Sequence, residues 1–112
     1  MKVLLGQINR RQGEWDSLRR KAREALPGLV KVLVEEYGAR RVMLFGSLLG
    51  REPSPWPDID LLVEGLLPDR RAEALGRLFA LAPLPVDIVP LEAGRPEIVQ
   101  RALEEGETLY AA

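Results

Sequence analysis

Three prolines and a glycine fall within the eight residues Gly50–Pro57 (GREPSPWP). Neither a helix nor a central strand tolerates that density of fixed φ angles and missing N–H donors, so the stretch is loop. Apolar segments bound it on both sides. Arg41–Phe45 (RVMLF) reads as a buried strand that stops at Gly46-Ser47. Asp58–Glu64 (DIDLLVE) reads as a second strand. The local order is therefore strand, Gly-Ser turn, stiffened connection, strand.

The rest of the chain supplies helices and one more strand. Pro68 through Leu81 reads as a helix, with proline at an early position and Ala72, Leu75, Leu78, Phe79 and Ala82 on its apolar face. Val86–Pro90 is a third short strand, with Pro85 and Pro90 marking its ends. Pro96 to Glu105 is a last helix, stopped by Gly106. Upstream, a charged helix fits Glu14 to Ala25, and Pro27-Gly28 breaks the pattern. Leu29, Val30, Leu33, Val34 and Tyr37 then recur at helical spacing up to Gly38. The two pieces also read as one kinked helix. Within residues 1–13, Lys2–Ile8 reads as an edge strand or a loose arm. The expected class is α/β (α+β): a small mixed sheet of three to four strands packed with helices, as one domain over residues 1–112.

Composition removes several chemistries. Cysteine and histidine are both absent. That excludes a disulfide framework, thiolate or imidazole metal sites, a cysteine nucleophile and a Ser-His-Asp triad. Any catalysis falls to carboxylates, hydroxyls, Lys, Arg or a bound metal. The net charge of −1 gives no global pull toward nucleic acid or membrane. Charge is uneven, though: Lys2 to Arg23 carries seven basic residues against Glu14 and Asp16, and Glu92 to Glu107 carries five acidic ones against Arg95 and Arg101. Each run reads as solvated helix surface or as a docking face. No apolar run has the length of a membrane span and no signal-peptide pattern is present, so a cytoplasmic location is expected.

One constellation carries chemistry: Leu44-Phe45-Gly46-Ser47, then ten residues, then Asp58-Ile59-Asp60-Leu61. Glycine lets backbone approach a ligand closely. N–H groups at the turn and the Ser47 hydroxyl suit phosphate. Asp58 and Asp60 are two apart on a strand and share a face, while Ile59, Leu61 and Val63 take the other. Adjacent carboxylates repel, and a hard cation such as Mg²⁺ resolves the repulsion. Asp87, set among Val86, Ile88 and Val89, reaches the same cluster if its strand pairs beside the second one. Each element alone has an ordinary reading: a turn, a strand-start cap, a structural ion pair. Together they suit two-metal phosphoryl chemistry.

These residues resemble the minimal nucleotidyltransferases of the DNA polymerase beta superfamily. The match lies in Leu44-Phe45-Gly46-Ser47, Asp58-Ile59-Asp60-Leu61-Leu62-Val63 and Val86-Asp87-Ile88-Val89, and it spans about Leu29 to Val89. The resemblance implies a palm-like nucleotidyltransferase fold. It implies that Gly46 and Ser47 hold the nucleotide phosphates and that Asp58, Asp60 and Asp87 bind two Mg²⁺ ions, with Asp87 also activating the acceptor hydroxyl. It further implies transfer of a nucleoside monophosphate, AMP from ATP or the equivalent from another nucleoside triphosphate. The acceptor it implies is a tyrosine on a small helical HEPN-type partner, with this chain as the antitoxin of a toxin–antitoxin pair and a homo-oligomer as a further option.

The motif departs from the family at two places. Many members carry Arg-Gly where this chain has Gly50-Arg51; Arg51 reads either as a phosphate ligand or as a solvated loop residue. Many have serine where this chain has Pro57. Trp56 reads as a base-stacking residue or as packing over the loop, and Trp15 as helix packing. These departures sustain an alternative, a catalytically weak or inactive module that binds nucleotide or neutralises and scaffolds a partner. A structural α/β domain without nucleotide is the third reading.

Overall fold

The computed structural model describes residues 2–112, with side chains described from Arg10 onward. It opens on one helix, α1, Lys2–Tyr37. The buried side chains Trp15, Ala22, Leu26, Leu29, Leu33 and Tyr37 recur every three, four or seven residues along it. That stripe runs straight past Pro27, so the expected break at Pro27-Gly28 is not made. An interior proline costs a helix about 3 kcal/mol. Burial of Leu26 and Leu29 on either side, each worth about 1.5–3 kcal/mol, offsets it. The edge strand or loose arm expected within residues 1–13 is likewise helix from Lys2 onward; Met1 lies outside the described residues.

The strands β1 (Arg41–Phe45), β2 (Ile59–Glu64), β3 (Val86–Pro90) and β4 (Glu107–Ala111) form a mixed sheet in the order β3-β2-β1-β4. β1 is antiparallel to β2 and β4, and β2 is parallel to β3. The fourth strand is thus Glu107–Ala111, which the Gly106 stop concealed. Asp58 falls just before β2 rather than within it. A parallel pair needs a crossover. A short 3₁₀ turn, Pro68–Arg70, and helix α2, Arg71–Phe79, provide it. Ala74 and Leu78 are the buried residues of α2, whereas Ala72 and Phe79, expected on the apolar face, are exposed. Helix α3, Pro96–Glu105, has the bounds read from its proline and glycine signals.

Alternation divides the sheet residues between two faces. Val42, Leu44, Ile59, Leu61, Val63, Val86 and Ile88 form one core with α1 and α2. Met43 and Leu62 join Ala102 of α3 in a smaller cluster on the other face, flanked by Phe45, Val89, Leu91 and Val99. Asp60 and Asp87 belong to this second face by strand alternation. Helix α3 covers part of it and leaves their end half-buried.

Candidate active site

β1 ends at Phe45, and the chain turns at Gly46 with φ 84° and ψ −151° into a single 3₁₀ turn, Ser47–Leu49. That backbone conformation is essentially reserved for glycine. A second reason also excludes a side chain: a Cβ at Gly46 would collide with Oδ2 of Asp60 and lie 3.1 Å from its Cγ. Glycine lets the turn lie directly against the Asp60 carboxyl. The pairing of Phe45 with Asp60 across β1 and β2 sets this approach.

Asp58 and Asp60 meet as their spacing foretells. The Asp60 carboxyl is pushed up to about 7 from its ordinary value of 3.8. Burial is the first cause; a hydrogen bond and the charge of Asp58 come next, and the charge of Asp87 adds to them. Asp60 therefore tends to keep its proton, and a bound cation would displace it.

Asp87 stands beside Asp60 in the parallel register of β2 and β3. Its carboxylate is engaged from the other side. Nη2 of Arg71, at the start of α2, donates to Asp87 Oδ1 at 2.5 Å, while Nε donates to the Ile88 carbonyl at 2.6 Å. Asp58 and Asp60 are thus in contact, and Asp87 is their neighbour, turned to Arg71. Among the described residues no three acidic side chains are already gathered into a metal cage.

Gly46, Ser47, Asp60 and Asp87 line one cleft of about 920 Å³, a size suited to a small ligand. Helix α3 forms its opposite wall with Glu97, Ile98, Arg101 and Glu105. These wall residues were missed in the sequence. The four-residue spacing of Glu97, Arg101 and Glu105, one stripe opposite the Val99–Ala102 apolar side, was the available signal. Arg51 does not line the cleft and is exposed. Trp56 neither packs over the loop nor lines the cleft; it is 86% exposed. Trp15 is buried at 3% and packs from α1, as expected.

The Ser47 hydroxyl oxygen is buried without a hydrogen-bond partner. An orphaned hydroxyl costs stability until a ligand satisfies it. Together with the acidic pair it fits a metal-bound phosphate: Asp58 and Asp60 for the cation, Ser47 for a phosphate oxygen. Ser47→Ala is accordingly expected to leave the melting temperature of the ligand-free protein unchanged or slightly raised. The same change should weaken ATP binding by about 1.5–3 kcal/mol, the worth of one charge-assisted bond. Calorimetry and thermal unfolding on one preparation check both.

No protein-family model matches the chain, and no curated protein matches it by sequence. Solved structures do. A crystal structure of the toxin–antitoxin MntA–HepT aligns with 80% of this chain and 73% of its own, at 21% identity and TM-score 0.65. A toxin–antitoxin crystal structure with AMP-PNP aligns over 76% of this chain and 73% of its own, at 22% identity and TM-score 0.64. A structure of tri-AMPylated Shewanella oneidensis HEPN toxin in complex with MNT antitoxin aligns over 88% of this chain and 73% of its own, at 21% identity and TM-score 0.54. At such identities the likeness establishes the fold alone: over the aligned residues this chain is folded as the chains it matches in these structures are.

Proposed function

We propose, from this shared frame, that the chain is a metal-dependent nucleotidyltransferase that moves AMP from ATP to a hydroxyl. The acceptor is a tyrosine of a HEPN-type partner, and the chain acts as the antitoxin of the pair. The observation that carries the reading is the close approach of Gly46 to the Asp60 carboxyl, with the Gly-Ser turn, Asp60 and Asp87 lining one cleft; Asp58 adjoins Asp60 without lining it. The neighbouring structures with AMP-PNP and with a tri-AMPylated HEPN toxin support the choice of nucleotide and partner.

In this reading Asp58 and Asp60 would hold Mg²⁺, which would neutralise phosphate charge and polarise the α-phosphorus. Ser47 and the turn that follows Gly46 orient the phosphate chain. The acceptor oxygen attacks the α-phosphorus, the bond to the bridging oxygen of the β-phosphate breaks, and pyrophosphate leaves. Asp87 takes the acceptor proton. Arg71 holds Asp87 at the cleft wall.

The Asp87–Arg71 ion pair also supports a second reading, a partner-binding module without transfer, because it occupies the carboxylate that catalysis would need. Incubation of the chain with a HEPN-type protein, α-labelled ATP and Mg²⁺ separates the two. Label on the partner, lost in EDTA and absent when the partner's tyrosines are replaced, is the expected result. A stable complex that acquires no label would favour the binding module.

A further inference from the structure

A single 3₁₀ turn holds itself poorly. It closes two backbone hydrogen bonds, Leu49 N–H to Gly46 O and Gly50 N–H to Ser47 O, and leaves carbonyls at its far end without helical partners. Helix α1 supplies donors for them. Arg19 Nε donates to the Leu48 carbonyl at 3.0 Å, Trp15 Nε1 to the Gly50 carbonyl at 3.3 Å, and Gln12 Nε2 to the Arg51 carbonyl at 2.9 Å. Spacings of three and four residues put the three donors on one face of the helix. They meet their acceptors in reverse chain order, so helix and loop run antiparallel. None of the three lines the cleft. They grip the loop from outside it.

We propose that Gln12, Trp15 and Arg19 are positioning residues for the nucleotide: a ladder of donors that fixes the loop's carbonyls so that Gly46 and Ser47 stay seated against Asp60. Arg19 carries most of the effect, because its donor is charged and it holds the carbonyl nearest Ser47. The inference rests on the nucleotidyltransferase reading and deepens it. It assigns an N-terminal helix outside the motif a part in nucleotide affinity.

The test compares Arg19→Met, which keeps the apolar stem, with Arg19→Lys, which keeps a donor. Calorimetry with ATP and Mg²⁺ is expected to show about tenfold weaker binding for Arg19→Met and recovery to within about threefold of wild type for Arg19→Lys. Trp15→Phe, which keeps most of the ring but loses the N–H, should weaken binding about threefold, in keeping with its longer bond. Hydrogen exchange without nucleotide should speed up at the Leu49 and Gly50 amides in Arg19→Met and stay unchanged in β1 and β2. If Arg19→Met and Arg19→Lys bind ATP as wild type does, and differ from it only in melting temperature, α1 merely attaches to the body and the ladder is wrong. Faster exchange at Leu49 and Gly50 without loss of affinity overturns the ladder alone. A wild-type chain that binds no ATP overturns the nucleotidyltransferase reading and this proposal with it.

Discussion

Asp60→Asn is expected to cut nucleotide transfer by about a thousandfold or more, an effect on the order of 4 kcal/mol at the transition state. The fold should survive the change. Asparagine keeps the shape that Gly46 packs against and removes the charge crowded by Asp58 and Asp87. The pH dependence gives a second, independent readout in metal-free protein. The folded Asp60 carboxyl holds its proton up to about 7, whereas an ordinary aspartate releases it near 3.8. A group raised in this way contributes stability fully below the lower value, and that stability is lost as pH rises through the upper one. The wild-type melting temperature should therefore fall between about pH 4 and pH 7 and level off above, and the fall should shrink in Asp60→Asn. Mg²⁺ competes with the same proton, so its affinity should rise over the same interval. Full transfer by Asp60→Asn, or collapse of its fold, would make Asp60 a structural carboxylate and end the mechanism.

Gly46→Ala should be the second severe change, and for two separable reasons. The φ of 84° with ψ −151° costs a residue bearing Cβ about 1–3 kcal/mol. The new methyl also drives the Asp60 carboxyl out of place. A melting temperature lower by about 5–15 °C is expected from the strain, with transfer down by at least about a hundredfold from the displaced carboxyl. Adding Asp60→Ala makes room for the methyl and leaves the backbone strain untouched. The double variant should thus lose less stability than the two single losses added together. Strict additivity would mean that residues 46 and 60 do not touch.

The middle of the chain was legible because its signals are local. Proline and glycine bound β1, β2, β3 and α3, and the Gly-Ser and Asp-x-Asp spacings place the turn and the acidic pair. Two of the misreadings, at Pro27-Gly28 and at Glu107–Ala111, share a cause, tertiary structure prevailing over local signals. Pro27-Gly28 looks like a stop, yet Leu26 and Leu29 are buried against the sheet and carry the helix through it. Lys2–Ile8 looks like an edge strand or a loose arm, yet helix α1 begins at Lys2. Glu107–Ala111 has little alternation of its own and becomes a strand because β1 offers it an open edge. The meeting of the Gly46-Ser47 turn with Asp60, and of Asp60 with Asp58, was legible in the spacing. The site was not legible for Arg71, whose grip on Asp87 joins the start of a crossover helix to an edge strand, nor for the α3 wall, which is assembled only when α3 packs on Met43 and Leu62.

The two tryptophans sit in opposite surroundings, one buried at 3% on α1 and the other 86% exposed in the proline-rich loop two residues before Asp58. Indole emission depends on just this difference. Trp15 should emit from a buried setting shielded from acrylamide, and Trp56 at longer wavelength, open to the quencher. The protein thus carries two intrinsic optical probes, one on α1 and one in the proline-rich loop, separable by colour and by quenching. Events at the helix–loop seam and in the proline-rich loop can be followed in stopped flow without a label, each in its own channel.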